Sequence, residues 1–472
     1  MDRREQRIHF TGALITEINN TFKVSVNVVL DQLDATNIAI DLLNLEGRNH
    51  ELKAELRLIF DRNKTIYIKN DHLSGAYLEI FGLNGFQCDA DGAVSINAHS
   101  ISYGLHKAKL ACGEKVQVVG YFTPSGLLEK NISRVMHYDG TVEPIISEYE
   151  NSYWKSDLGK FLISSHFGYI DDEVFNRKVT TSYEATCASI EVEVHNKDEL
   201  DSLHEKIVDN FNIISSTLSL SYRTEVRLYH VSYTIINDSM DELDCRGLRL
   251  YRLKLLENKK KPFDYPLIDI QGLSGGKFGD LADKLKNSNI HKAVLKSINF
   301  LSISRNRYLE ESYFYCFLAI DSFINSLLDN HMEGTKIPEK YWCKIEKFIR
   351  KSLSEMVEED VVGYRDEVKD KLPELKRYSF SNKVYRVIDL IKVSTDGLWV
   401  DREFPAGLRE ASRIRNSLFH SGHVESIGDM YENLVRLQFL LERVILKHLE
   451  WPDSNLSSRH NIQLLETNRS YM

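Results

Sequence analysis

Hydrophobic and polar residues alternate with a period of two along much of the first 145 residues. Residues 23–28, 64–69 and 115–121 each place apolar side chains at every second position, which is typical of strands with one face on a core. Turn pairs such as Asn84-Gly85 and Asp139-Gly140 separate such runs. The pattern predicts a β-rich domain over residues 1–145, folded as an antiparallel sandwich or a barrel-like sheet. No catalytic group of residues stands out in it, so a binding or sensing surface and a structural scaffold both remain open.

The next stretch, residues 146–290, mixes both periods and predicts a second α+β lobe. A strand at 189–194 precedes a helix that begins at Asn196 or Asp198, and strand-like runs follow at 225–236 and 247–256. Residues 272–278 have some features of a phosphate-binding loop. However, three residues separate Gly272 from the Gly-Lys pair, where a Walker loop has four, and Phe278 replaces the required hydroxyl. We therefore interpret this segment as a flexible linker.

From residue 291 the spacing of apolar residues becomes helical and stays so. The predicted helical stretches are residues 293–305, 308–329, 338–354, 382–393, 405–421 and 428–449. Such a series packs naturally as a helical bundle. The expected fold class is thus multidomain α+β, in which a β-rich N-terminal half precedes a helical domain over residues 291–472.

Composition narrows the class of protein further. A chain of 472 residues with 42% hydrophobic and 27% charged residues is globular and long enough for two or three domains. The net charge of −9 argues against an extended non-specific nucleic-acid surface. The six cysteines are scattered without metal-ligand spacing, no signal peptide is apparent, and charges interrupt every long apolar run. These features predict a cytoplasmic protein with no membrane span, no metal and no cofactor.

One short motif near the C-terminus carries candidate chemistry: Arg415-Asn416-Ser417-Leu418-Phe419-His420, followed by Ser421-Gly422. On a helical wheel Arg415 falls within an apolar stripe, where a guanidinium needs a carboxylate or phosphate partner. Asp321, in the apolar run 317–323, is the internal candidate for that partner. The opposite side of the same helix gathers four polar residues: Arg409, Arg413, Asn416 and His420.

The Arg-Asn-x-x-x-His motif, opening into a glycine turn between two helical stretches, resembles the active-site motif of the HEPN superfamily. With a long β-rich half ahead of it, the chain is similar to ApeA-like HEPN proteins of bacterial anti-phage defence. The resemblance implies a C-terminal HEPN bundle that acts as a metal-independent endoribonuclease in abortive infection. His420 would then act as acid and base, Arg415 would stabilise the phosphorane, and Asn416 would orient His420 or bind the phosphate. The products would carry 2′,3′-cyclic phosphate and 5′-hydroxyl ends.

The resemblance also sets expectations about partners and assembly. The substrate would be tRNA or another host or phage RNA, Arg409 and Arg413 would contact its phosphates or remain solvated, and a phage-encoded protein could be the trigger. On a straight helix Arg415 and His420 point about 140° apart. They converge only if the helix ends near Phe419 or if two chains meet. The resemblance implies the second route, with a homodimer or a dimer of dimers. The alternative is a non-catalytic HEPN module that binds RNA or a partner protein.

Overall fold

The computed structural model describes residues 5–15, 21–31, 38–62, 64–71, 77–88, 93–103, 114–124, 127–128, 132–136, 142–146, 151–174, 177–194, 197–236, 244–251, 265–331, 337–355, 363–376, 378–422 and 426–469. The chain divides into two compact units, Met1–Asp283 and Lys284–Met472. The expected α+β class is confirmed, because strands dominate the first unit and helices the second. The finer division of the first 290 residues at 145/146 stays a prediction.

The first unit begins with six antiparallel strands whose pairing closes into a ring. They are β1 Glu5–Ile15, β2 Thr21–Asp31, β3 Ile38–Asn44, β4 Ile66–Asn70, β5 Tyr77–Cys88 and β6 Ala93–Tyr103. The order β1-β2-β3-β6-β5-β4 returns to β1, so the barrel-like alternative describes this part. Alternate residues such as Val24, Val26 and Val28 are buried in its core, as the period of two requires.

A helix lies within the region whose pattern predicts only strands. Helix α1 spans Asn49–Asp61 and buries Leu52, Leu56 and Ile59 in the same core as the six strands. These three residues recur at helical spacing, but the charged residues between them and the flanking strand patterns mask the signal. The expectation of strands throughout residues 1–145 is therefore wrong at this helix.

The remaining strands extend the same sheet beyond β6. They are β7 Glu114–Thr123, β10 Ser152–Ser156, β11 Gly159–Val174, β12 Arg177–Val194, β13 Arg227–Ile236 and β14 Asp244–Tyr251, in the order β10-β11-β12-β7-β13-β14. A separate hairpin joins β8 Ile132–Met136 to β9 Val142–Ile146. Helix α2, Lys197–Tyr222, packs against β12 and β13 and begins between the two predicted start positions. Residues 252–256 of the last predicted strand lie outside the described residues.

The glycine-rich segment at 272–278 is packed structure and not a flexible linker. Helix α3, Ile270–Leu273, is capped by Asp269, and helix α4, Lys277–Asn287, follows and buries Phe278 completely. A Cβ atom at Gly279 would lie only 3.0 Å from the backbone oxygen of Tyr153. Glycines here allow close contact with strand β10, so the linker prediction is wrong because a long-range contact determines the conformation.

The second unit is a helical bundle, as expected. Its helices are α5 His291–Ser304, α6 Leu309–Asn330, α7 Glu339–Glu355, α8 Arg365–Lys371, α9 Phe380–Ile391, α10 Phe404–Ser421, α11 Ile427–His448 and α12 Ile462–Asn468. The six predicted helical stretches agree with α5, α6, α7, α9, α10 and α11 within two residues at each end. Helices α8 and α12 are additional to the prediction. Among the described residues, no helix is long and apolar enough to cross a membrane.

Helix α11 forms the centre of the bundle and packs against α6, α9, α10 and α12. Its buried charges are matched: Glu442 forms an ion pair with Arg305, and both side chains are only 2% exposed. Gln438 donates to the Ser304 hydroxyl at 3.0 Å. Because an unmatched buried charge is costly, these contacts restrict how α11 can sit in the bundle, and α11 in turn supports the neighbouring α10.

Candidate functional site

Helix α10 carries the Arg-Asn-x-x-x-His motif and has well-defined ends. Pro405 lies in its first turn, which suits a residue without an N–H group, and Gly422 ends it in the left-handed conformation with φ +66°. The Tyr313 hydroxyl on α6 donates to the backbone oxygen of Ala411 at 2.9 Å. A Cβ atom at Gly407 would lie 2.4 Å from the Trp399 ring. These contacts hold the motif helix closely against its neighbours.

Arg415 lies half-buried between two aromatic rings. Its guanidinium carbon is 5.7 Å from the centroid of Phe317 on α6 and 5.2 Å from that of Phe419. Cations at such distances over ring faces gain cation–π stabilisation. Its Nη1 donates to the Asn416 side-chain oxygen at 3.2 Å, whereas the buried Nε has no hydrogen-bond partner among the described residues. The guanidinium of Arg415 is therefore a partly desolvated cation whose Nε can still donate a hydrogen bond.

The expected ion pair between Asp321 and Arg415 does not form, although both residues are described. Phe317 occupies the position over Arg415, and Asp321 lies one helical turn further along α6, about 6 Å away along the axis. The helical wheel correctly predicts Arg415 among apolar residues, but it contains no information on which part of α6 faces Arg415. Aromatic rings thus take the place of the predicted carboxylate.

His420 and Asn416 are exposed on the opposite side of α10. The helix continues through His420 to Ser421, whose hydroxyl donates to the Ser417 backbone oxygen at 2.7 Å. Arg415 and His420 of one chain can converge only if the helix ends near Phe419. The alternative that they converge within one chain is therefore wrong. Arg415 and His420 stay about 140° apart on the helix, and the remaining route to convergence is a second chain.

Arg409 and Arg413 fall in one exposed row with Asn416 and His420, as the wheel predicts. Arg413 makes two hydrogen bonds to the Glu410 carboxylate, at 3.1 and 2.9 Å, and lowers the pKa of that carboxyl. Arg409 acts electrostatically on Tyr385, counteracting the rise in the pKa of this phenol that burial causes. An anion that approaches this row would meet Arg409 directly, whereas Arg413 would have to share its guanidinium with Glu410.

Exposed apolar residues lie near the end of α10 and in the first turns of α11. Phe419 is 47% exposed and Ile427 is 73% exposed. Tyr431, one turn further along α11, is 48% exposed. Phe419 also contacts Phe314 of α6, with ring centroids 5.3 Å apart. These residues lie close to the motif in the sequence and are candidates for an apolar surface that another molecule covers.

The sequence indicates Asp321 as the contribution of α6 to this site, but the aromatic residues of α6 that contact it were missed. Its aromatic run Tyr313-Phe314-Tyr315, with Phe317 one residue beyond Cys316, supplies the hydroxyl that fixes α10 and the rings beside Arg415. The density of aromatic residues within five positions was a readable signal. Their contact with α10 depends on long-range packing, which a local pattern does not contain.

In the part of the chain that the structure describes, no group of three or more His, Cys, Asp or Glu side chains could hold a metal ion. The site consists of a stacked arginine, an exposed amide, an exposed imidazole and a surrounding apolar surface. Comparison of the chain with protein-family models, with curated proteins and with solved structures gives no match.

Proposed function

We propose that this protein is a metal-independent endoribonuclease whose cleft forms between the α10 helices of two chains. The resemblance of Arg415-Asn416-x-x-x-His420 to the HEPN active-site motif supports this proposal. The observation that carries it is the state of Arg415, a partly desolvated guanidinium with a buried Nε and no ion pair to Asp321. A phosphate fits this need, since the planar fork of arginine binds phosphate oxygens in pairs.

The chemistry is transesterification by the 2′-hydroxyl of RNA. An imidazole can accept the proton of that hydroxyl and return one to the leaving 5′-oxygen, which is the role of His420. Arg415 stabilises the negative charge that grows on the phosphorane. Asn416, which accepts a hydrogen bond from Arg415, orients His420 or binds the phosphate. The oxygen–phosphorus bond to the 5′-oxygen breaks as the 2′-oxygen bonds to phosphorus, which leaves a 2′,3′-cyclic phosphate and a 5′-hydroxyl.

A homodimer is part of the same proposal. Because Arg415 and His420 diverge on one helix, an isologous interface would bring the arginine of one chain to the histidine of the other. The exposed side chains of Phe419, Ile427 and Tyr431 provide an apolar surface beside the motif for such an interface. The pairing of two such dimers would then give a dimer of dimers.

The biological role that we propose is abortive anti-phage defence in the cytoplasm. The resemblance to ApeA-like proteins supports it, together with a β-rich first unit ahead of a helical second unit. The first unit would sense a phage-encoded trigger or restrain the nuclease until infection. Cleavage of tRNA or of other host or phage RNA would then stop growth of the infected cell.

Expression in growing bacteria tests this function. Wild-type protein released from restraint should be toxic and should create new 5′-hydroxyl RNA ends, whereas His420→Ala should do neither. His331→Ala provides a matched control, because His331 is also exposed in the second unit but lies outside the motif. New 5′-hydroxyl ends that persist with His420→Ala would contradict the catalytic role, and RNA binding without any cleavage would favour the non-catalytic HEPN module.

A further inference from the structure

Helix α7 carries two adjacent rows of exposed side chains along its length. One row is apolar and consists of Tyr341, Ile345 and Phe348, of which Phe348 is 71% exposed. The other row consists only of exposed lysines: Lys340, Lys344, Lys347 and Lys351. Both rows follow the spacing i, i+4, i+7, so each forms a straight line on the helix surface. The helix attaches to the bundle through its opposite side, where Trp342 is buried.

The lysine row keeps most of its positive charge unmatched. No carboxylate in the described ranges lies within ion-pair distance of Lys344 or Lys347, and Lys351 meets Glu355 only in an exposed pair at 3.6 Å. Exposed pairs of this kind are weak. The acidic Glu346 on the same helix is engaged by Arg350 instead, at 2.7 Å. A positive line on a chain with a net charge of −9 is a local feature that favours an anionic partner.

The two rows also touch each other. The Lys340 ammonium lies 4.8 Å from the centroid of the Tyr341 ring, so charge and aromatic face belong to one continuous surface. A polyanion bound along the lysines would place its uncharged groups directly over Tyr341 and Phe348. Single-stranded nucleic acid has this arrangement, with phosphates on one side and flat bases on the other, and aromatic side chains are its usual stacking platforms.

We infer that the exposed face of α7 binds single-stranded RNA, with the lysine row on the phosphates and with Tyr341 and Phe348 stacked on bases. This inference rests on the proposed ribonuclease function and extends it, because it names where the substrate strand is held outside the cleft. The four lysines span about 16 Å along the helix and the two rings about 10 Å, which suits several consecutive nucleotides. A membrane surface fits less well, since the apolar row has only one aliphatic residue.

Binding to an RNA that cannot be cut separates this inference from catalysis. The probe is a fluorescein-labelled 20-nucleotide 2′-O-methyl oligouridine, which lacks the attacking hydroxyl, with full-length protein and fluorescence anisotropy as the readout. Phe348→Ala should weaken binding at least about fivefold, the lower end of what one stacked base contributes. Phe348→Trp should retain the affinity because it keeps a stacking face, while Phe348→Leu should lose it although the residue stays apolar.

The contribution of the lysine row can be measured separately, from the dependence of RNA affinity on salt concentration. Lys344→Ala combined with Lys347→Ala should reduce the slope of log affinity against log salt by about 1.4, or about 0.7 for each lost contact to a single strand. Lys392→Ala combined with Lys447→Ala removes the same charge from exposed positions elsewhere in the second unit, and it should leave this slope unchanged.

Unchanged RNA affinity in both the Phe348→Ala and the double-lysine variants would overturn the inference. A second outcome would also overturn it: wild-type protein binds phosphatidylserine vesicles but not the oligonucleotide, and Phe348→Ala abolishes the vesicle binding. These outcomes do not depend on catalysis. If wild-type protein creates no 5′-hydroxyl ends, the ribonuclease proposal fails while the anisotropy result still decides whether α7 binds RNA.

Discussion

Arg415→Lys separates a catalytic arginine from a structural one. Lysine keeps the positive charge but loses the planar fork, so it cannot hold two phosphate oxygens in the geometry of the arginine. In the structure, the guanidinium carbon of Arg415 lies 5.7 and 5.2 Å from the ring centroids of Phe317 and Phe419, and Arg415 donates one hydrogen bond to Asn416. A lysine retains part of the cation–π attraction, so the expected loss of stability is at most about 1 kcal/mol. In a domain of this size that corresponds to roughly 2–4 °C in Tm.

The expected loss of activity is much larger. Removal of one donor that stabilises a transition state typically costs about 10²- to 10³-fold, and we expect single-turnover cleavage by Arg415→Lys to fall by at least about 10²-fold. Thermal unfolding and single-turnover cleavage should be measured on the same preparation. Arg365→Lys on α8 is the matched control, because the Nε of Arg365 is also buried without a partner among the described residues. Near-wild-type cleavage by Arg415→Lys, whatever its Tm, would refute a catalytic role.

Three further predictions concern assembly, packing and pH. Mixed dimers of Arg415→Ala and His420→Ala subunits should regain cleavage, since one cleft then holds an intact residue from each chain; a co-expressed mixture as inactive as either variant would contradict the shared cleft. Gly407→Ala should lower the free energy of unfolding by about 1–3 kcal/mol in urea titrations, because its Cβ would lie 2.4 Å from the Trp399 ring; an unchanged midpoint would show that the ring moves freely. Burial lowers the pKa of His230 to about 4, below the ordinary 6.5, so the unfolded chain binds this proton more readily and stability is lost as pH falls from 6.5 towards 4. Between pH 7 and pH 5 the loss should be roughly 2 kcal/mol, and His230→Phe should remove it; an equal pH dependence in that variant would contradict the assignment.

The sequence predicts the helices of the second unit well because each one carries its own apolar stripe. In α10 the buried residues Leu408, Ala411 and Ile414 recur at helical spacing, and the proline and glycine at its two ends mark its limits. The exposed row that contains Asn416 and His420 follows from the same spacing. Local pattern is sufficient for these features because the helix itself determines them.

The features that the sequence leaves open or predicts wrongly depend on contacts between distant residues. The closed ring of strands requires β5 to pair with β6 while β4 returns to β1, and a local pattern does not specify which strands become neighbours. The glycines at 276 and 279 indicate flexibility when considered alone, but they allow close contact with Tyr153. The sequence indicates the Asp321 carboxylate as the partner of Arg415, whereas packing of α6 places the ring of Phe317 there. The errors at the glycine segment and at Asp321 both come from tertiary packing that overrides a local signal.

The proposed activity is RNA cleavage by Arg415, Asn416 and His420 without a metal ion. Its most direct test is cleavage of a single-stranded RNA by purified full-length protein in excess EDTA, with the chemistry of the new ends determined. Wild-type protein should cleave under these conditions and leave 2′,3′-cyclic phosphate and 5′-hydroxyl ends, and His420→Ala should be correctly folded and inactive. Cleavage that requires added Mg²⁺ or Mn²⁺, or undiminished cleavage by His420→Ala, would contradict it.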